Sequence, residues 1–298
     1  VKKENEMAYD AAAELKRVKD FYKGDPLQKR FSALVTGETN TGKTYLLRTA
    51  RLPVHIDSFD PGGSKGLRAD IRWAKDDPNR LCSLYDEVTN PNGQIIADTR
   101  YENDDPFDPK AYADWKKATD VRFQIGYFNQ FGTYCLDSAT TFGIAVMNYG
   151  LGNKNRAGES PQMRSDYQPQ KTEMTNYFRK LMNLPCDFIL TGHLREMRKV
   201  LSVDSKTGIV REEIKFRFYT TGQAVVTIPL LFDEIYVITG KNGREGVKRE
   251  MLIDSLGEYV ARSRLKAKGF LNAIEPPDIK ALLKKSGFDP QDKPRLSL

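Results

Sequence analysis

The octapeptide GETNTGKT at residues 37–44 follows the apolar run FSALVT and leads into a segment of helical character. It fits GxxxxGK[ST], the phosphate-binding P-loop. Its glycines let the backbone wrap closely around phosphate oxygens, and several N–H groups converge at a helix N-terminus. Gly37, Glu38, Thr39, Asn40, Thr41, Gly42, Lys43 and Thr44 are therefore the candidate nucleotide cradle. Lys43 is expected to reach the β- and γ-phosphates, and the Thr44 hydroxyl to ligate Mg²⁺. Average residue frequencies make a chance match in a chain this long roughly one in a hundred. A strand before the loop and a helix after it are the context the chemistry needs, so the motif governs the rest of the reading.

Around it the chain reads as alternating strands and helices. Met7, Ala11, Leu15, Val18 and Tyr22 recur at three- and four-residue spacing, which predicts an amphipathic helix over 7–22. Strands are expected at 31–36, 53–59, around QIIADTR, at 133–137 and at 186–193. Helices are expected from Gly42 to about Ala50, over 109–126 and over 171–184. A possible helix falls near 67–75. The polar stretch 150–170 predicts a long mobile loop. Alternation across 200–218 around DSKTG predicts a hairpin, and LLFDEIYVIT and GEYVARSR read as two further strands. PPDIKALLKKSG places proline at the start and glycine after the end of a short helix. The fold class is α/β, a mostly parallel twisted sheet with helices on both faces and a β-hairpin extension. Residues 1–28 form an N-terminal helical segment, 29–268 the core and 269–298 a tail.

The bulk numbers exclude more than they assert. No apolar run approaches the ~20 residues needed to span a bilayer. The three cysteines form no CxxC pair, which argues against a disulfide framework or zinc site and fits a reducing cytoplasm. The net charge of +7, with Lys/Arg runs at 195–199, 241–249 and 262–268, is compatible with a nucleic-acid surface or with ordinary solvated faces.

Asp137 closes the apolar run TYCLD, at the carboxyl end of a second buried strand, and fits the Mg²⁺-side carboxylate of a P-loop site. Serine, not glutamate, follows it. With GETNTGKT, LDSATTF, FILTGH, PLLFDEIYVIT and VARSRL, the chain resembles the RecA-like P-loop ATPases, and among them the compact phage nucleotide-binding proteins of recombination and annealing. The likeness spans roughly 30–268 and is loose over 60–130.

That resemblance implies a strand order in which FILTGH lies between the P-loop strand and the Asp137 strand. His193 would then emerge beside the γ-phosphate, where such proteins carry a polar sensor residue. It also implies that the water-orienting carboxylate lies at the end of PVHIDSFD, on the other flank of Asp137. Asp57 and Asp60 are the available carboxylates there; Asp60 is favoured narrowly for its PGG turn, and Glu38 is an outsider. Arg262 and Arg264 resemble the K-x-R pair that such assemblies insert into a neighbour's site, which implies an oligomer, ring or filament. Lys154, Arg156, Arg164, Arg195, Arg198 and Lys199, with Tyr149 and Tyr167, fall in the segments that would contact single-stranded DNA. The N-terminal helix would pack on a neighbouring copy or cover the protein's own core.

The implied activity is DNA-stimulated, Mg²⁺-dependent ATP hydrolysis in phage recombination or strand annealing. Implied partners are single-stranded DNA, further copies of the chain and a single-strand-binding protein, in the cytoplasm of a host cell if the source is viral. Three alternatives stand beside it: a DNA-packaging or helicase-associated motor or loader, a small-molecule P-loop kinase, and an ATP-controlled DNA-binding scaffold.

Overall fold

The computed structural model describes residues 10–24, 30–63, 67, 94–203, 210–220, 224–243 and 246–296. The possible helix near 67–75, apart from Leu67, and the DSKTG turn fall outside them. The P-loop strand β1 (Ser32–Gly37) is almost wholly buried, as expected of a strand covered on both faces. It pairs in parallel with β5 (Asp187–Val203) on one side and β7 (Glu234–Gly243) on the other. Beyond β5 lie β4 (Thr133–Asp137), β2 (Val54–Ser58) and β3 (Ile95–Asp98), all parallel. Beyond β7, β8 (Gly246–Leu252) and β9 (Ile274–Glu275) are antiparallel. The order is β3-β2-β4-β5-β1-β7-β8-β9, with β6 (Val210–Phe218) pairing β5 as a hairpin arm. FILTGH therefore does lie between the P-loop strand and the Asp137 strand, and PVHIDSFD does lie on the other flank of Asp137.

Helices cover both faces, and each face has its own core. On one, α3 (Ala111–Gln124), α4 (Ala139–Gly152) and α5 (Tyr167–Leu181) bury an aromatic cluster of Trp115, Tyr134, Phe142, Phe178 and Phe188. On the other, Leu46 and Leu47, at the end of α2 (Lys43–Leu46) and in the 3₁₀ turn after it, pack against Ile56, Ile189 and Tyr236. The tail helix α7 (Ile279–Lys285) closes this second core with Ile279, Leu282 and Leu283. Its N-cap is Asp278, whose side chain accepts from the Ala281 amide at 2.9 Å. Gly287, at φ 79°, follows its end as the sequence pattern required. Among the described residues the remaining short helical turns are α6 (Ala224–Thr227) and the 3₁₀ segments Tyr127–Gln130, Pro229–Leu231 and Leu265–Lys268.

Three expectations need correction. GEYVARSR is not a strand: Tyr259 and Arg262 make isolated bridges only, and the partner of β7 is β8, from the charged segment GVKREML. Its lysine, arginine and glutamate hid the strand; β9 pairs only with Met251 and Leu252, so the charged half of β8 has an open flank, where charge is tolerated. Residues 150–170 are not one long loop. α4 runs to Gly152 and α5 begins at Tyr167, and the turns between are held by the nearly buried Asp166. The helix after the P-loop, by contrast, keeps its expected span: one α-turn runs straight into a 3₁₀ turn, with Gly42 and Ala50 as the flanking caps. Finally, α1 (Ala11–Gly24) forms, but Leu15 and Val18 remain 55% and 42% exposed, so it does not cover the protein's own core.

Candidate active site

The P-loop conformation follows from its residue types. Gly42 sits at φ 95° and Asn40 at φ 64°, left-handed geometries that glycine and, among other residues, asparagine adopt most readily. A Cβ on Gly37 would come within 2.6 Å of the Thr41 hydroxyl and 2.7 Å of the Ile238 carbonyl, so the loop closes tightly there. Lys43 is buried and folded back, its Nζ donating to the carbonyls of Gly37 (3.1 Å) and Glu38 (2.8 Å). Burial lowers its pKa, and the carboxylates Asp137 and Asp60 oppose that shift. The Glu38 side chain is exposed, and what Glu38 offers Lys43 is its carbonyl. An open cavity of about 790 Å³ lies over the loop, lined by residues that include Lys43, Thr44, Asp60 and His193. That volume lies within the usual range for a small-ligand site.

Asp137 lies under this cavity at 1% exposure. Thr44 Oγ1 donates to its Oδ2 at 2.7 Å, and Thr191 Oγ1 donates to its Oδ1. Burial and the charge of Asp60 raise its pKa, against the two threonine hydroxyls and Lys43. A buried carboxylate touching the P-loop threonine is an oxygen donor set suited to a hard divalent cation. Thr44 and Asp137 thus fit Mg²⁺, and the cation's charge would offset the cost of keeping Asp137 ionised.

The two candidate water-orienting aspartates part company. Asp57 is fully buried inside the α3 face. Arg122 donates to both of its oxygens at 2.9 and 3.0 Å, Trp115 Nε1 and Tyr134 Oη to Oδ2 at 2.8 and 2.6 Å, and His55 Nε2 lies 2.9 Å from Oδ1. Burial would raise its pKa, but His55, Arg122 and Tyr134 together hold it well below the usual range. Strand alternation explains the placement: Asp57 points to the α3 face, away from the cavity. Its carboxylate serves the core and has no path to a nucleotide.

Asp60, three residues on, lines the cavity. Its Oδ1 accepts from Ser138 (2.8 Å) and Thr141 (2.7 Å), and its Oδ2 lies 3.0 Å from His193 Nε2. Burial raises its pKa, yet these three hydrogen bonds prevail and keep it lowered, so it stands ready as an anion. The turn carrying it is fixed by Glu102, which accepts from Ser58 Oγ (2.8 Å) and the Gly62 amide (3.1 Å). Glu102 was missed because in the acidic run ENDDPFD nothing in sequence separates it from its solvated neighbours. Serine at 138 also acquires a reason, since it orients Asp60.

His193 is paired in register with Gly37, the first P-loop residue, and emerges at the cavity. Its backbone continues directly into the exposed half of β5, where Leu194 pairs with Phe218 of β6. Thr140 Oγ1 accepts from the His193 amide (3.2 Å) and donates to the Tyr219 carbonyl (2.9 Å), fastening α4 to the root of this hairpin.

The arginines and the proposed DNA cations divide similarly. Arg262 and Arg264 lie at the amino end of β7, the opposite end of the parallel strands from their own P-loop. Arg262 is turned inward onto the carbonyls of Pro229 (3.2 Å) and Phe232, which commits its guanidinium to the fold. Arg264 is 68% exposed and paired with Asp233 at 2.8 Å. Lys154 (2.6 Å) and Arg156 (2.9 Å) are both bound to Asp166, so they brace the α4–α5 connection. Tyr149 packs edge-on to Tyr112. Arg164 is exposed, and so are Arg195, Arg198 and Lys199 on the hairpin. Arg195 lies 5.8 Å from the Tyr219 ring, and Arg198 pairs with Glu196 and Glu212.

A match to a protein family agrees with this geometry. A family model described as an AAA domain, AAA_24, matches residues 29–265. The chain belongs to the AAA domain family. With its P-loop and buried aspartate it is an AAA-type P-loop ATPase. Among solved structures it is similar to a KaiC-like protein, PH0186, from Pyrococcus horikoshii OT3, at 12% identity and TM-score 0.33, covering 78% of this chain and 81% of that one. It is also similar to an ATPase from the type III secretion system of pathogenic bacteria, at 14% identity and TM-score 0.41, covering 82% of this chain and 56% of that one. No curated protein matches it. Among the described residues no helix is long and apolar enough to cross a membrane.

Proposed function

We propose that this AAA-type chain hydrolyses ATP with Asp60 orienting the water, and uses the nucleotide state to control single-stranded DNA held by the β5–β6 hairpin. The observation that carries this reading is the Asp60–His193 contact at the cavity wall. One partner holds the position from which a water would be activated, and the other begins the strand that becomes the hairpin. Asp60 would accept the water's proton as it attacks, and Lys43 would swing from the Gly37 and Glu38 carbonyls to the phosphates. Thr44 and Asp137 would hold Mg²⁺, which supplies neutralising charge to the phosphate oxygens. A shift of His193 as its Asp60 partner engages water would pass to Leu194–Phe218 through Thr140 and Tyr219.

The exposed Arg195, Arg198, Arg164 and Lys199 are the cations for DNA phosphates; Tyr219, 41% exposed beside Arg195, is the aromatic available for stacking. Tyr167 opens α5 and is only half-buried, so it stays a second candidate. In a ring or filament Arg264 would enter the neighbouring nucleotide site, and the exposed stripe of α1 would rest on the next copy. The process served is recombination or strand annealing of the kind found in phage, with a single-strand-binding protein as a further partner.

The test is anisotropy of labelled single-stranded DNA, with and without a non-hydrolysable ATP analogue, alongside phosphate release with and without DNA. Nucleotide-dependent binding and DNA-stimulated turnover are expected. Replacing Arg195 and Lys199 with glutamine should lower the salt slope of binding by about 0.7 for each lost contact. DNA that neither binds nor alters turnover would remove the nucleic-acid half and leave the ATPase standing.

A further inference from the structure

Within one copy of the chain the sequence pointed to no cation at the P-loop other than Lys43, yet the structure brings a second. β7 pairs Ile238 with Gly37 and then continues past the end of β1, so the β7–β8 hairpin stands above the sheet beside the loop. Arg249, paired with Gly240 on the returning strand, reaches over the loop apex and lines the same cavity as Lys43, Thr44, Asp60 and His193. Its Nε donates to the Thr41 carbonyl at 3.1 Å. A Cβ on Gly42 would lie 2.9 Å from that same Nε, so the close approach depends on the glycine as well as the arginine.

Its neighbours face away. Lys248 and Glu250, on the opposite face of β8, pair with each other at 3.4 Å. Among the described residues no carboxylate pairs with Arg249. A guanidinium carries five N–H donors, and one is used at Thr41. The remaining fork is the donor geometry that binds phosphate oxygens bidentately.

We propose that Arg249 is a phosphate clamp that the chain supplies to its own nucleotide site, acting on the polyphosphate of a nucleoside di- or triphosphate. This rests on the nucleotide-binding reading of the cavity. The Thr41 hydrogen bond sets the guanidinium at the loop apex before the ligand arrives, and the free N–H groups close on the phosphates from the hairpin side. The hairpin thereby becomes part of the site, and the chain has one arginine at the phosphates without help from a neighbouring copy.

The experiment is equilibrium binding of fluorescent ATP, ADP and AMP derivatives, with Mg²⁺, to the full chain and to Arg249→Ala and Arg249→Lys, with thermal melting of each nucleotide-free protein. ATP and ADP affinity should fall about tenfold in Arg249→Ala, in line with loss of a charge-assisted contact. AMP affinity and the melting temperature should be unchanged, and Arg249→Lys should fall between. Equal affinity in wild type and Arg249→Ala overturns the clamp and leaves nucleotide binding intact. So does an equal loss for AMP, or a variant whose weaker binding tracks a lowered melting temperature, since either makes Arg249 a brace for the loop. If the wild-type chain binds none of the three, the nucleotide reading and the clamp fall together.

Discussion

Asparagine at Asp57 and at Asp60 should produce opposite phenotypes, and the geometry gives the size of each. At residue 57 an amide removes the negative partner of Arg122 in a fully buried network, and its NH₂ must face donors on every side. Breaking a buried ion pair by neutralising one partner costs about 3–5 kcal/mol. Arg122 keeps Asp98 at 2.8 Å, which favours the lower end. For a chain of 298 residues that is a melting shift of about 5–8 °C. The folded fraction should still turn over ATP at the wild-type rate, because Asp57 does not reach the cavity.

At residue 60 the amide oxygen can keep both Ser138 and Thr141, which share Oδ1, while the NH₂ meets His193 Nε2 in its acceptor tautomer. Stability should change by no more than about 1 kcal/mol, the worth of one rearranged hydrogen bond. Turnover should fall about 10²–10⁴-fold, the range for loss of a general base. Phosphate release per folded molecule, with folding followed by circular dichroism in urea, reads both quantities. A folded Asp57→Asn protein without turnover, or an Asp60→Asn protein with full turnover, would refute the assignment.

Other outcomes follow from the same contacts. Thr44→Ala and Asp137→Asn should each abolish the Mg²⁺ dependence of nucleotide binding measured by titration calorimetry. Arg264→Ala should cut turnover by about 10³-fold or more if it serves as an arginine finger. Mixing that variant with inactive Lys43→Ala should restore part of the rate only through shared interfaces, whereas Arg262→Ala should mainly lower the melting temperature. Asp57 has a folded-state pKa depressed below its usual 3.8, so its contribution is fully present above that pH and lost as pH falls through the folded value. Urea midpoints at pH 6 and pH 3 should therefore differ less in Asp57→Asn than in the wild type.

The sequence by itself determined the P-loop, the Asp137 position and the alternating strands, because each depends on residues adjacent in the chain. GETNTGKT needs only its own glycines, lysine and threonine, and TYCLD announces a buried strand by its unbroken apolar run. Even the parallel order around β1 was legible through the resemblance that these motifs carry. What the tertiary structure alone decided was the fate of residues whose chemistry is identical in sequence. Asp57 and Asp60 differ by three positions, but strand alternation turns one into a closed aromatic core and a turn pinned by Glu102 delivers the other to the cavity. Arg262 and Arg264 are likewise separated by which carbonyls lie within reach, and Asp166 sets Lys154 and Arg156 together apart from the exposed Arg164, Arg195, Arg198 and Lys199. Arg249 came from a strand whose charge concealed it. A charged side chain is assigned by the partner it meets, and for most of these the partner lies dozens of residues or more away in the chain.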